Sequence, residues 1–125
     1  MPDAARADAV LDVAALADTV TQLAVATAND SPVIHSRQEW GSRPTPAGGY
    51  DAAAGVRLAV LHHTVDTNNY SAADVPAMLQ AIQAYHTDAN RWDDIGYNFV
   101  VDRFGRIWEG RGGGPQTTII GTHAA

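Results

Sequence analysis

Apolar positions fall along the chain in several distinct rhythms, and each predicts a different element. Val13, Leu16, Val20 and Leu23 recur at spacings of three, four and three among alanines of high helix propensity, which predicts a helix over about residues 4–25. The stripe is shorter than the ~3–4 heptads a coiled coil needs and reads as a helix packed on whatever lies beside it. Asn29, Asp30, Ser31 and Pro32 then gather turn-forming residues, placing a boundary near residue 31. Residues 1–30 are therefore read as a helical segment or linker, and residues 31–125 as a second unit.

Within that second unit, Pro44, Pro46, Gly48, Gly49 and Gly55 mark residues 43–55 as a surface loop. Residues 57–65, Arg-Leu-Ala-Val-Leu-His-His-Thr-Val, are nearly continuous in apolar and β-branched character, as expected of a strand covered on both faces. From 74 to 88, Val75, Met78, Leu79, Ile82 and Tyr85 recur at three and four, an amphipathic helix with Ser71 or Asp74 as cap and Pro76 in its first turn. Residues 97–101 and 106–109 predict strands joined by a turn at Asp102 to Gly105, and 117–120 a further short strand. The order implies an α/β fold, a mixed central β-sheet flanked by helices and preceded by the N-terminal helix.

A chain of 125 residues holds one domain, and 46% hydrophobic against 18% charged residues is ordinary for a globular protein. Without cysteine there is no disulfide, thiol nucleophile or cysteine-rich zinc cluster, so any metal must be held by His, Asp or Glu. Fourteen acids against eight bases leave a net charge of −6, which argues against a nucleic-acid surface. No uncharged apolar run approaches the ~20 residues of a membrane span. Asp3, Asp8, Asp12 and Asp18 occupy the place where a signal peptide carries a basic start and an apolar stretch.

Candidate chemistry is sparse. His62 and His63 are adjacent on a predicted strand, so their side chains point to opposite faces and only one serves any given site. A histidine in an apolar strand is more often a hydrogen-bonded core residue than a ligand. Asp93 and Asp94, beside Trp92, read as a solvated turn rather than a catalytic pair, since acids are seldom buried unless paired. The Gly110-Arg111-Gly112-Gly113-Gly114 run lacks the Lys and Ser/Thr of a phosphate-cradling loop and reads as a bend.

The ordered set of segments says more than any one residue: Ser36-Arg37-Gln38-Glu39-Trp40-Gly41, Leu61-His62-His63-Thr64, Tyr85-His86, Trp92-Asp93-Asp94-Ile95-Gly96-Tyr97-Asn98-Phe99, Trp108-Glu109-Gly110-Arg111 and Gly121-Thr122-His123-Ala124. From about residue 33 to the end this pattern resembles the peptidoglycan recognition protein and type 2 N-acetylmuramoyl-L-alanine amidase family. The resemblance implies that His62 is the first ligand of a Zn2+ ion and that Tyr97 stands beside the metal as a catalytic hydrogen-bond donor. It implies that His86, Trp92 and His123 line the groove for the muramyl peptide. His63 is expected to bond within the core, and Glu109 and Arg111 to form a structural pair.

The implied reaction is zinc-assisted hydrolysis of the amide between N-acetylmuramic acid and L-alanine, with peptidoglycan as partner and a secreted or cell-wall-associated setting of bacterial type. In the family the remaining zinc ligands follow the Gly-x-His-Ala segment, and the sequence stops at Ala125. Residues 31–125 are accordingly expected to be the N-terminal two-thirds of such a domain, truncated at its C-terminus. One imidazole does not supply the ~10–16 kcal/mol apparent free energy of an assembled zinc site, so weak or absent zinc binding is expected. A non-catalytic peptidoglycan-binding module and an inactive fragment are the alternative readings. A missing strand and helix would also leave a sheet edge and an apolar face exposed, inviting aggregation or pairing with another chain.

Overall fold

A computed structural model of the chain describes residues 31–122. The helix predicted over 4–25 and the candidate His123 lie outside the described residues. The first element, strand β1 (Ile34–His35), leads directly into the short helix α1 (Arg37–Trp40). Four residues make a helix here because both ends are satisfied. Ser36 accepts from the Glu39 N–H, Glu39 accepts from the Ser36 N–H at 3.1 Å, and Gly41 ends the turn at φ +72°. The hydrophobic pattern gave no hint of α1, whereas the Ser-x-x-Glu spacing is the signal that marks it.

The predicted helix is present as α2 (Val75–Ala84), with Pro76 in its first turn. Ser71 and Asp74 act together just upstream, in a 3-10 turn (Ala72–Asp74) where the Asp74 carboxylate accepts from the Ser71 N–H and hydroxyl, each at 2.7 Å. Beyond Ala84 the chain continues as a π-helical turn (Tyr85–Ala89). The buried face runs through Val75, Leu79, Gln83 and His86, while Tyr85, assigned to it by the apolar pattern, is exposed. Gln83 and His86 are polar residues with hydrogen-bond partners, so hydrophobic periodicity passes over them.

The predicted hairpin is formed by β2 (Phe99–Val101) and β3 (Ile107–Glu109), antiparallel with Val100 opposite Trp108. Asp102 organises its turn: the carboxylate accepts from the N–H groups of Phe104 and Arg106 and from the Trp108 indole at 3.0 Å, and Gly105 takes φ +78°. β1 joins β3 in parallel, Ile34 opposite Ile107, giving a mixed three-stranded sheet in the order β1-β3-β2. Trp40, Val75, Leu79 and Trp108 form the core between the sheet and the helices, with Tyr70 and Val100 packed on its margin.

Two predicted strands are not strands. Residues 57–65 pair with no neighbour among the described residues, and Leu58, Val60, Leu61 and Val65 are each at least 75% exposed instead of covered on both faces. A β-favouring sequence becomes a strand only when a second strand takes up its N–H and C=O groups, and the pattern reports propensity, not the partner. Residues 117–120 contribute a single antiparallel bridge, Ile119 to Ala52, closed by hydrogen bonds of 2.8 Å from Ala53 N to Thr118 O and from Ile120 N to Asp51 O.

An exposed β-favouring apolar segment of this kind promotes self-association. Val60→Lys is expected to leave the unfolding midpoint within about 0.5 kcal/mol of the parent, as surface changes do, while shifting light scattering toward the monomer. An unchanged scattering profile contradicts this.

Candidate functional site

Tyr97 lies two residues before β2, and the sheet's hydrogen bonding reaches past the strand ends to hold it. Gly110 N donates to Asn98 O at 3.0 Å and Arg111 N to Tyr97 O at 2.7 Å. A Cβ on Gly110 would run into the Tyr97 carbonyl oxygen, so the close approach requires glycine there. Gly110→Ala is expected to cost about 1–3 kcal/mol, the usual penalty of overpacking, seen as a lower urea midpoint with an unchanged m-value.

Behind this segment sits a buried polar hub. Asp94, 1% exposed, is ion-paired with the buried Arg37 at 2.9 Å and accepts from Gln83 Nε2 at 2.6 Å, Ile95 N at 2.7 Å, Gly112 N and the Tyr50 hydroxyl. Burial opposes its ionisation, but these donors and the Arg37 charge outweigh that, and the carboxyl sits below its ordinary value of 3.8. Burial and the bond to Asp94 push the Tyr50 phenol up to about 12. Arg37 also donates to the carbonyls of Gly110 and Arg43, and Arg111 grips Asp93 through two 2.7 Å contacts.

The solvated turn expected at Asp93 and Asp94 is thus corrected. Asp94 is buried because Arg37 pairs with it, and Asp93 remains half exposed in its bidentate pair. The expected Glu109–Arg111 pair is corrected as well, since Arg111 turns to Asp93 and Glu109 accepts from Gly114 N at 3.2 Å. His63 is exposed rather than bonded in the core, because the segment that carries it is not covered. The Gly110 to Gly114 run is a bend, with Gly113 and Gly114 at φ +105° and +92°.

Four of the five predicted site residues meet. The His62 and Tyr97 rings stand edge to face with centroids 5.4 Å apart, His86 and Tyr97 at 5.2 Å, and His86 and Trp92 at 4.6 Å. Tyr97 is half-buried, and burial together with the nearby Asp66 charge raises its pKa above 10.0, so the phenol keeps its proton at neutral pH. His86 is buried in the π-helical turn, with Trp92 N donating to its carbonyl and Gly96 N to its Nδ1, both at 3.0 Å. His62 is exposed, its Nδ1 2.9 Å from the His63 carbonyl.

Among the described residues no three His, Cys, Asp or Glu side chains come together to hold a metal ion, so the donors present do not fit a zinc centre. Sequence reasoning missed Arg37, Tyr50 and Gln83. Nothing in a hydrophobic pattern distinguishes an arginine that neutralises a buried acid from one at the surface.

No family model matches the chain. It is 40% identical over 94 residues to a Drosophila simulans peptidoglycan-recognition protein, SC1a/b, a match covering 74% of this chain and 47% of that protein. The chain is a homologue of the peptidoglycan-recognition proteins. A mouse N-acetylmuramoyl-L-alanine amidase is 36% identical over 87 residues, 65% of this chain and 16% of the amidase. Among solved structures, a tyrosine-to-phenylalanine mutant of Drosophila peptidoglycan-recognition protein LB, in complex with tracheal cytotoxin, superposes with TM-score 0.60 at 30% identity, covering 72% of this chain and 51% of that one. The mixed sheet with its helices is therefore part of the peptidoglycan-recognition fold, as expected. The chain spans about half the length of the curated peptidoglycan-recognition proteins it matches.

Proposed function

We propose that this chain binds the muramyl peptide of peptidoglycan through His62, His86, Trp92 and Tyr97, joined by His123, and that residues 31–125 act as the first part of a recognition domain working outside the cell. The observation that carries this is the ring cluster. His62 and His86 each pack against Tyr97, and Trp92 packs on His86, giving an apolar wall next to polar groups, the combination that small-molecule sites use to hold and orient a ligand. The cytotoxin held by the related LB protein supports a peptidoglycan fragment as the ligand class.

Titration calorimetry with a soluble muramyl peptide tests it. Trp92→Ala is expected to weaken binding about thirtyfold, corresponding to the loss of a ~2 kcal/mol aromatic anchor. Equal affinity of parent and variant, or no binding by the parent, counts against the proposal.

A second reading is amide hydrolysis by zinc held in part by His62, favoured by the placement of that ring against the Tyr97 phenol and by the amidase among the relatives. His62 would then be one ligand, and the other ligands would have to come from outside the described residues. Release of stem peptides from purified peptidoglycan, with and without added zinc, separates the readings. Binding without cleavage is expected of these 125 residues, whereas zinc-dependent release replaces recognition by hydrolysis.

A further inference from the structure

Most arginines among the described residues are held, by their side chains or by the peptide that follows them. Arg37 and Arg111 are buried and paired with Asp94 and Asp93. Arg43 pairs with Asp88 and precedes Pro44, and Arg106 pairs with Asp102 at the start of β3. Arg103 donates to the Asn68 carbonyl at 2.7 Å, and the N–H of the next residue, Phe104, is tied to Asp102. Arg91 precedes Trp92, whose N–H donates to the His86 carbonyl at 3.0 Å. Neither restraint applies to Arg57: its side chain and the Leu58 N–H make no hydrogen bond or ion pair among the described residues.

The segment around Arg57 has the same character. Every residue from 51 to 63 is exposed, Val56 by 74% and Leu58 by 79%. The last backbone tie before Arg57 runs from Ala53 N to Thr118 O at 2.8 Å, and from residue 54 to 61 no backbone group is bonded to another among the described residues. A protease takes its substrate as an extended strand and pairs with those same groups, so a run that breaks none of its own bonds on entering a cleft is cut first. Arg57 is the only Arg or Lys between Arg43 and Arg91, and its guanidinium is complementary in charge to the carboxylate of a trypsin-like S1 pocket.

The geometry points to the Arg57–Leu58 peptide bond as a processing site for an arginine-directed serine protease, one whose cleavage leaves the described fold standing as two pieces. In the cut the C–N bond breaks, the oxygen of water bonds to the Arg57 carbonyl carbon, and both water protons end on the Leu58 nitrogen, giving a carboxylate and an ammonium. Contacts across the cut persist. Trp40 stays packed with Val75, Leu79 and Trp108, β1 stays paired with β3, and Arg37 and Tyr50 still hold Asp94. What changes is a new ammonium at the head of the segment that carries His62. This site is independent of the muramyl-peptide reading.

Brief trypsin digestion of the full chain at neutral pH, read by intact mass, tests it. A fragment beginning at Leu58 is expected to appear at least about tenfold faster than cleavage after Arg91, Arg103 or Arg106, whose bonds wait on local or global opening. Arg57→Gln is expected to lose that fragment and keep the slower cuts. The nicked chain is expected to elute as one species on native size exclusion and to separate in urea. Earlier cleavage after another of the described arginines, resistance at Arg57, or an early cut at the same place in Arg57→Gln overturns the site. Pieces that separate without denaturant overturn the two-piece fold and leave the site standing.

Discussion

Asp94→Ala is expected to destabilise the chain by about 3–5 kcal/mol, enough to remove most or all of the stability of a small domain. The carboxylate has almost no solvent contact and stands 2.9 Å from a guanidinium that is itself buried. Removing it strands Arg37 as an uncompensated interior charge and leaves Gln83, Tyr50 and the Ile95 N–H without their common acceptor. The reading is a urea melt followed by tryptophan fluorescence; a change below about 1 kcal/mol contradicts the hub. The same carboxyl gives a pH signature. Its folded-state pKa, and that of Asp102, lie below 3.8, so their contribution is complete above that value and is lost as pH falls through the depressed values. Asp94→Asn is neutral throughout and is expected to flatten this acid limb.

Trp40→Ala ranks beside it, at about 3–5 kcal/mol, because a fully buried indole leaves a void that its neighbours only partly close. Trp40 packs with Val75, Leu79 and Trp108, and its indole N–H donates to the Glu109 carbonyl at 2.7 Å, tying α1 to the end of β3. Trp40→Phe keeps the aromatic packing but orphans that carbonyl and is expected to cost roughly 1 kcal/mol beyond the change in packing. Thermal melts of the two variants check the order: alanine far below phenylalanine, and phenylalanine below the parent. Near-equal midpoints for alanine and parent would place the core elsewhere.

What could be read from the amino-acid order differed from element to element for physical reasons. α2 and the β2–β3 hairpin follow from local signals, apolar spacing in one and turn residues between alternating strands in the other, and both form as expected. Residues 57–65 carry an equally strong local signal and fail, because pairing is a property of two segments and no described residue supplies the second. Asp94 was misplaced for a related reason. Its burial depends on Arg37, fifty-seven positions away in the chain by number, a distance no window spans. His62, His86, Trp92 and Tyr97 were legible only as a set, through the family pattern; taken singly, a histidine in an apolar strand such as His62 has a commoner structural explanation. Their convergence on Tyr97 depends on the hairpin and α2, which were predicted, and on the clamp around Asp94, which was not.

Contacts between ligand and protein protons report on the recognition surface without any variant. In a complex of the full chain with an N-acetylmuramyl tripeptide, nuclear Overhauser effects are expected from the lactyl and L-alanyl methyl groups to the ring protons of Trp92 and Tyr97. Effects confined to Tyr70 and Phe104, the aromatic pair beside the hairpin turn, would contradict the placement of the ligand on the cluster at Tyr97.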